Sequence, residues 1–228
     1  MRETWFLLQS GLGQPAFNMA LDETLLEKAP EITQPIFRFY SWTEPAASFC
    51  YSQKYFEIER VTTLRPLIRR PTGGGLVPHE ADWTYSLIFP PNHSWHNLKA
   101  MESYEKVHQW IRDAFAKINI ATELSGSGQK EISGQCFIGA EKFDLLWHGK
   151  KIAGAAQRRT KNGLLMQGSV QPAPISAVKA DWQKAMCDVA QEQFQISWNE
   201  LVLPVELSNR ALQLSREKYA QANFNQKR

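Results

Sequence analysis

The sequence has no long apolar segment and no targeting signal. Its 228 residues contain no run of about 18 apolar residues, the length that a membrane-spanning helix requires. Residues 1–5 lack the basic and then apolar composition of a secretory signal. The chain also has no internal repeat, low-complexity tract or long linker. We therefore expect one domain, residues 1–228, that is cytoplasmic and does not associate with a membrane.

Cysteine is scarce in this chain. The three cysteines, Cys50, Cys136 and Cys187, are odd in number and form no C-x-x-C pair, which argues against a disulfide framework and a structural zinc site. The five histidines contain no H-x-x-x-H pair, so we expect no metal. Cys50 lies between two aromatic residues and Cys187 lies on a predicted helical face, and we expect both thiols to be buried and inert.

A large excess of charge of one sign is also missing. Lysine and arginine number 26, aspartate and glutamate number 23, and the net charge is +3. The basic residues are spread along the chain, with local clusters at 65–70 and 150–161. This distribution favours local sites for an anion over a nucleic-acid-binding face. With 43% hydrophobic residues, a chain of this length can bury a full core.

The spacing of apolar residues predicts both helices and strands. Helical periodicity begins near Pro15, returns between Met101 and Ile118, and dominates from Asp181 onward. Aromatic-rich or alternating segments predict strands, and these are residues 35–40, 47–51, 82–89 and 164–170, with a hairpin at 143–157. The sequence thus predicts an α+β domain with a mixed, largely antiparallel β-sheet and helices packed on one side.

The most informative segment runs from Arg69 to Glu80. Two arginines precede three glycines, and strand-like residues follow. Glycine lets backbone N–H groups approach a ligand closely, and guanidinium groups bind carboxylate or phosphate. The segment matches neither a Walker A sequence nor a Rossmann fingerprint. It therefore indicates a site for a small anionic ligand, and an ordinary glycine-rich turn between two strands is the alternative.

A second candidate site combines Cys136 with Lys151, which follows it by 15 positions. The residues between them include the first arm of the predicted hairpin. A nearby cation lowers the pKa of a thiol and favours the nucleophilic thiolate, so an acyl group could pass through a thioester at Cys136. The alternative is a buried, inert thiol. Asp144 on the same hairpin either positions Lys151 or faces solvent.

Two motifs in this order carry a family resemblance. The run from Arg69 to Gly75 with His79 and Glu80, followed by the run from Gly149 to Arg159, resembles the lipoate-protein ligase and octanoyltransferase family. The segment 18–23 and the residues Trp42 to Pro45, Ser48 and Gln53 support it. The resemblance covers about residues 14 to 170. It implies the catalytic fold that this family shares with biotin-protein ligases.

The resemblance also implies an activity. Family members attach octanoate or lipoate to a lysine of a lipoyl carrier domain, of the glycine cleavage H protein or dehydrogenase E2 type. The donor is an acylated carrier protein or free lipoate. By resemblance, Cys136 and Lys151 are the catalytic residues. The implied substrate-binding residues are Arg69, Arg70, Thr72, Gly73, Gly74, Gly75, His79, Gly154, Ala155, Gln167 and Gly168.

The family divides by how the acyl group is activated. Octanoyltransferases use a cysteine before the catalytic lysine and no cofactor, and Cys136 fits that pattern. Lipoate-protein ligases use ATP and magnesium, form an acyl-adenylate and usually carry an accessory C-terminal domain, which we do not expect in 228 residues. A non-catalytic protein that binds lipoyl or biotinyl groups is a third possibility.

Two positions depart from the octanoyltransferase pattern. Gly75 stands where many octanoyltransferases have arginine, and three glycines are more usual in ligases. Gln167 stands where family members commonly have histidine, which removes a titratable group. His79 either orients the glycine loop, contacts the ligand or lies in a surface turn. His108, on the apolar face of the long helix, is expected to be a satisfied core histidine.

Overall fold

The computed structural model describes residues 2–126, 139–172 and 175–227. Its strands are β1 (Glu3–Gly13), β2 (Ile36–Trp42), β3 (Ala46–Phe49), β4 (Leu67–Arg69), β5 (Val77–His79), β6 (Trp83–Phe89), β7 (Glu123–Leu124), β8 (Leu145–Trp147), β9 (Lys150–Thr160), β10 (Gly163–Val170) and β11 (Ile196–Glu200). Its helices are α1 (Pro15–Ile32), α2 (Tyr55–Glu59), α3 (Ser94–Asn97), α4 (Ala100–Lys117), α5 (Lys179–Gln193), α6 (Val205–Leu214) and α7 (Ala222–Asn225), and a π-helical turn spans Ser215–Tyr219.

The larger sheet has eight strands in the order β11-β1-β2-β6-β10-β9-β8-β7. β1 pairs in parallel with β2 and β11, and the remaining neighbours pair antiparallel. The antiparallel part contains the predicted hairpin, which is formed by β8 and β9. The mixed, largely antiparallel sheet predicted from the sequence is therefore confirmed.

Helices cover both faces of this sheet, so the prediction of helices on one side is wrong. On one face, Trp83, Tyr85 and Leu87 of β6 pack in a cluster with side chains of α4 and α5. On the other face, Ile88 packs with side chains of α1 and α6. Every residue of β6 is consequently buried.

The polar residues of β6 explain this error. Thr84 and Ser86 alternate with the aromatic residues, which is the usual pattern of a strand with one face in water. Both are buried, however, because Thr84 Oγ1 donates to Asp82 Oδ2 at 2.9 Å and Ser86 Oγ donates to Asp22 Oδ1 at 2.7 Å. Buried partners satisfy these hydroxyls in place of water.

Strands β1 and β11 were not predicted. In β1, buried positions recur irregularly among exposed ones, so neither a strand nor a helix period is visible. β11 lies in a region whose pattern is mostly helical. The two strands are held by parallel pairing between residues almost the whole chain apart, such as Trp5 with Trp198. Local periodicity carries no signal for such a pairing.

A second sheet of three strands has the order β4-β3-β5. β3 pairs in parallel with β4 and antiparallel with β5, so the two outer strands flank it. The glycine-rich segment connects the outer strands and crosses one end of the small sheet. The fold thus presents residues 70–76 as a loop that is anchored on both sides.

Candidate active site

The guanidinium of Arg70 organises the glycine loop from within. Arg70 is 4% exposed and donates to Ser48 O at 3.0 Å, Gly73 O at 3.2 Å and Gly75 O at 2.7 Å. Within the described part of the chain it forms no ion pair with a carboxylate. A buried positive charge without a carboxylate partner favours an anionic group bound at the loop.

Arg69 points elsewhere. Its fully buried guanidinium donates to Tyr51 O at 2.9 Å, Gln53 O at 2.8 Å and Asn225 O at 2.8 Å. Arg69 therefore holds the small sheet against α7. This placement gives no support to the substrate contact that the resemblance implied.

At the centre of the loop, Gly74 is exposed and has a backbone φ of 86°. This left-handed region is readily adopted by glycine and rarely by other residues. Because the carbonyls of Gly73 and Gly75 on either side accept bonds from Arg70, the backbone reverses between two fixed points. The glycines therefore allow the backbone conformation that this loop requires.

Thr72 fastens the start of the loop to the large sheet. Its Oγ1 donates to Gln167 Oε1 at 2.7 Å, and Gln167 Nε2 donates to Asp22 Oδ2 at 2.7 Å. Asp22 is itself paired with the buried Arg38 at 2.6 Å. Gln167 is thus a link between β10, α1 and the loop. Both halves of its amide are satisfied, so glutamine supports the loop without any titration.

His79 anchors the other end of the loop, and the interpretation as a surface turn is wrong. The ring is 4% exposed and stacks on Trp42, with 3.9 Å between the ring centroids. Its Nδ1 lies 2.9 Å from Asp82 Oδ2 and its Nε2 lies 2.8 Å from Ser48 Oγ. Since Ser48 O also accepts from Arg70, the two ends of the loop share one set of supports.

Lys151 forms a buried ion pair with Asp144. The distance from Lys151 Nζ to Asp144 Oδ2 is 2.7 Å, and the two side chains are 6% and 0% exposed. Asp144 also accepts from Glu141 N at 2.6 Å and from the hydroxyl of Tyr104. Of the two interpretations of Asp144, the structure supports the one in which it positions Lys151.

Gly154 marks where the Lys151 ammonium lies. A Cβ placed on Gly154 would be 3.1 Å from Lys151 Nζ and 3.3 Å from Asp144 Oδ1. The neighbouring Gly168, paired with Ala155, is required for another reason. A Cβ there would lie 2.1 Å from Cζ of Tyr85, so the tyrosine ring occupies the space of a side chain.

The glycine loop and Lys151 lie on the same face of the sheet. Residues 154, 156 and 158 of β9 share one face by strand alternation. Arg158 Nη1 donates to Pro71 O at 3.3 Å, and Gln167, the cross-strand partner of Ala156, contacts Thr72. The loop therefore covers the face of the sheet toward which the Cβ position of Gly154 points. Lys151 Nζ lies on this same face, 3.1 Å from that position. Two motifs some 80 residues apart in sequence are brought together.

Cys136 lies outside the described residues, so its predicted role as nucleophile stays a prediction. Of the other two cysteines, Cys187 lies on α5, whereas Cys50 lies next to the start of the loop, because Tyr51 N donates to Thr72 O at 3.4 Å. Cys50 is buried, with Sγ 3.0 Å from Ser52 Oγ. Burial raises the pKa of the Cys187 thiol to about 12, so at neutral pH this thiol is protonated and a poor nucleophile.

The sequence does not identify Tyr104 as a site residue, because its spacing in α4 matches that of the apolar positions that face the core. The only hint in the sequence is a second polar ring one turn later, at His108. That histidine is buried as expected, and its Nδ1 donates to Tyr104 O at 2.8 Å. Its Nε2 has no partner among the described residues, so His108 is only half satisfied.

Residues 2–126, 139–172 and 175–227 show neither a membrane-spanning helix nor a metal-binding cluster. None of the helices in these ranges combines the length and the apolar composition that a membrane span requires. No group of three or more histidine, cysteine, aspartate or glutamate side chains there is placed to hold a metal ion.

A loop backed by a buried arginine lies on the same face of the sheet as a carboxylate-held lysine, an arrangement that suits an anionic ligand. The chain belongs to the lipoyl protein ligase A/B catalytic domain family, whose characteristic sequence pattern matches residues 14–173. This match confirms the resemblance drawn from the two motifs.

Curated relatives include octanoyltransferases LipM. The protein of Halalkalibacterium halodurans is 34% identical over 181 residues, and that of Anoxybacillus flavithermus is 35% identical over 182 residues. Each match covers 74% of this chain and 66% of the relative. The matched part of the chain thus spans slightly less than two thirds of these proteins.

Solved structures support the fold. A putative lipoate protein ligase from T. acidophilum superimposes with a TM-score of 0.81 at 18% sequence identity, over 100% of both chains. A lipoate-protein ligase A bound with ATP gives a TM-score of 0.77, also at 18% identity, over 99% of both chains. At this level of identity the likeness concerns the fold alone.

Proposed function

We propose that this protein is an acyltransferase of protein lipoylation that moves an octanoyl or lipoyl group onto a lysine of a lipoyl carrier domain. The observation that carries this proposal is the placement of Lys151 and the glycine loop on one face of the sheet. The curated name of the relatives, octanoyltransferase, supports the choice of acyl group.

In the first half-reaction, the thiolate of Cys136 attacks the carbonyl carbon of an acylated carrier protein. The carbonyl oxygen becomes an oxyanion, which the Lys151 ammonium and backbone N–H groups of the loop stabilise. The bond between the acyl group and the carrier sulfur then breaks, and the carrier sulfur leaves as a thiolate that takes a proton from water. The product is an acyl thioester on Cys136.

In the second half-reaction, the neutral amine of the acceptor lysine attacks the thioester. The same donors stabilise a second oxyanion, the bond to the Cys136 sulfur breaks, and an amide forms. The proton of the amine passes to water, and Cys136 is regenerated as the thiolate. ATP has no part in either step, because the thioester of the donor already activates the acyl group.

We propose the acyl acceptor and the acyl donor from the family to which the chain belongs. The acceptor is a lipoyl carrier domain of the glycine cleavage H protein or of a dehydrogenase E2 subunit. The donor is an acylated carrier protein. We also propose that residues 1–228 act as a single catalytic domain.

A second candidate function is an ATP-dependent lipoate-protein ligase. The charge of Arg70 beneath the loop would suit a phosphate as well as an oxyanion. Gly75, in place of the arginine of many octanoyltransferases, also favours it. In this reaction ATP and magnesium would convert free lipoate to an adenylate, which the acceptor lysine would attack.

An experiment on the covalent intermediate tests the first function. The protein is incubated with octanoylated carrier protein, and its intact mass is measured. We expect an octanoyl adduct that is absent in Cys136→Ala and retained in Cys187→Ala, the matched control on α5. An adduct that persists in Cys136→Ala, or none in the unaltered protein, would reject the thioester route.

A parallel assay separates the other functions. Pyrophosphate release that depends on ATP, magnesium and lipoate would identify the ligase. Retention of octanoate or lipoate without transfer to any carrier domain would identify a binding protein. Octanoyl transfer without ATP excludes both.

A further inference from the structure

Asp144 is a buried carboxylate held by three donors from the described part of the chain. They are the Lys151 ammonium, the backbone N–H of Glu141 and the hydroxyl of Tyr104. Since Asp144 is fully buried, a carboxylate charge is stable there only while such donors surround it. Of the three, only the hydroxyl comes from α4, so it connects the helix layer to the hairpin that carries Lys151.

The hydroxyl of Tyr104 is suited to hold a carboxylate and not to exchange protons with it. Burial, followed by the negative charge of Asp144, raises the pKa of Tyr104 well above its ordinary value. The phenol therefore remains protonated and donates at every pH at which the protein works.

His108 fixes the ring of Tyr104 without adding charge. The two rings lie 4.2 Å apart, and His108 Nδ1 donates to the backbone oxygen of Tyr104. Burial lowers the pKa of His108 to about 4, so the imidazole is neutral at pH 7. The positive charge that compensates Asp144 thus comes from Lys151.

We propose that Tyr104 is a positioning residue for Lys151, acting through Asp144. This inference rests on the proposed function for its consequence in catalysis, because Lys151 is there the cation that meets the oxyanion. Without the hydroxyl, Asp144 Oδ1 loses its hydrogen-bond donor, and the carboxylate rotates toward another donor. The Lys151 ammonium then leaves its place beside Gly154.

The test on activity uses Tyr104→Phe, which removes the hydroxyl and keeps the ring. Losing a hydrogen bond to a charged group should lower kcat about tenfold and leave KM for the carrier domain nearly unchanged. In a Lys151→Met background the same change should have no further effect, because the residue it acts through is gone. Additive losses would show that Tyr104 has only a structural role.

The chain offers a matched control. The hydroxyl of Tyr219 donates to Glu23 Oε2 at 2.7 Å, and Lys218 Nζ binds the same carboxylate at 2.6 Å. This buried tyrosine, carboxylate and lysine repeat the chemistry of the Tyr104 arrangement, and Tyr219 belongs to a different side-chain cluster. Tyr219→Phe should change the stability in a similar way and leave kcat unaltered.

A second measurement keeps the inference separate from the proposed function. The rate at which an amine-reactive acetyl ester modifies Lys151 is followed by peptide mass spectrometry. Release of the ammonium should raise this rate several-fold in Tyr104→Phe and in Asp144→Asn, and not in Tyr219→Phe. An unchanged rate in both variants would overturn the inference even if transfer occurs, whereas a raised rate without any octanoyl transfer would reject the function alone.

Discussion

Lys151 Nζ lies 2.7 Å from Asp144 Oδ2, and the two side chains are 6% and 0% exposed. The hairpin of β8 and β9 brings together residues seven positions apart and buries both charges. An ammonium fixed in this way needs little reorganisation to meet a developing oxyanion. The buried ion pair also makes Lys151 important for stability, since removing the lysine leaves the buried Asp144 carboxylate without its counter-charge.

Replacing Lys151 should separate these two contributions. We expect Lys151→Met to lower the rate of acyl transfer by about 100-fold or more, as the loss of an oxyanion donor does elsewhere. It should also lower the free energy of unfolding by about 3 kcal/mol, because Asp144 is left unpaired. Transfer assays and urea unfolding measure the two effects. The neighbouring, exposed Lys150 is the control, and a Lys150→Met variant that lost as much activity would contradict this assignment.

Arg70 should not be replaceable by lysine. Its planar fork reaches the carbonyls of Ser48, Gly73 and Gly75 together, and a single ammonium cannot do so. We expect Arg70→Lys to raise KM for the acyl donor about tenfold or more, since the loop loses its shape, while Arg65→Lys at an exposed position changes little. Steady-state kinetics with an octanoylated carrier protein would show this, and equal KM values for the two variants would count against the role of Arg70.

Gly168 should be intolerant of even one methyl group. Its Cβ would lie 2.1 Å from Cζ of Tyr85, so we expect Gly168→Ala to lower the free energy of unfolding by about 1–3 kcal/mol. A Cβ at Gly126 would meet no atom within 4 Å, which makes Gly126→Ala the control. Adding Tyr85→Leu should recover part of the loss. Thermal and urea unfolding test both expectations, and a Gly168→Ala variant of unaltered stability would exclude this contact.

His108 should make stability depend on pH. Burial lowers its pKa from 6.5 to about 4, so below pH 6.5 the unfolded chain binds a proton that the folded protein does not. The contribution of the neutral His108 side chain to the free energy of unfolding is therefore complete above pH 6.5. It decreases as the pH falls toward 4, by on the order of 3 kcal/mol in total.

A variant without the imidazole isolates this effect. His108→Gln should show a smaller decrease in the free energy of unfolding between pH 7 and pH 4 than the unaltered protein, measured by urea unfolding at a series of pH values. If the two proteins lose stability equally over this range, His108 is not the group responsible.

Neighbouring residues show how far the sequence alone could go. Arg69 and Arg70 are identical in type and adjacent, and the sequence suggests the same anion-binding role for both. In the structure Arg70 shapes the glycine loop, whereas Arg69 is directed at Asn225, 156 positions away. No local pattern distinguishes them, because the difference depends on which distant backbone carbonyls the fold places beside each one.

The sequence by itself determined the elements that depend on short-range order. The helix that begins at Pro15, the long helix α4 and the hairpin of β8 and β9 all follow from periodicity and turn residues within a few positions. It also determined the family, because two motifs in the correct order need no coordinates to be recognised.

Only the tertiary structure decided that helices cover both faces of the sheet, which partners the buried polar side chains have, and which residues support Lys151. Thr72 meets Gln167 across 95 positions, and Tyr104 meets Asp144 across 40. Such contacts depend on how strands and helices pack in space, so hydrogen bonds that satisfy buried polar groups follow from the fold and not from neighbours in sequence.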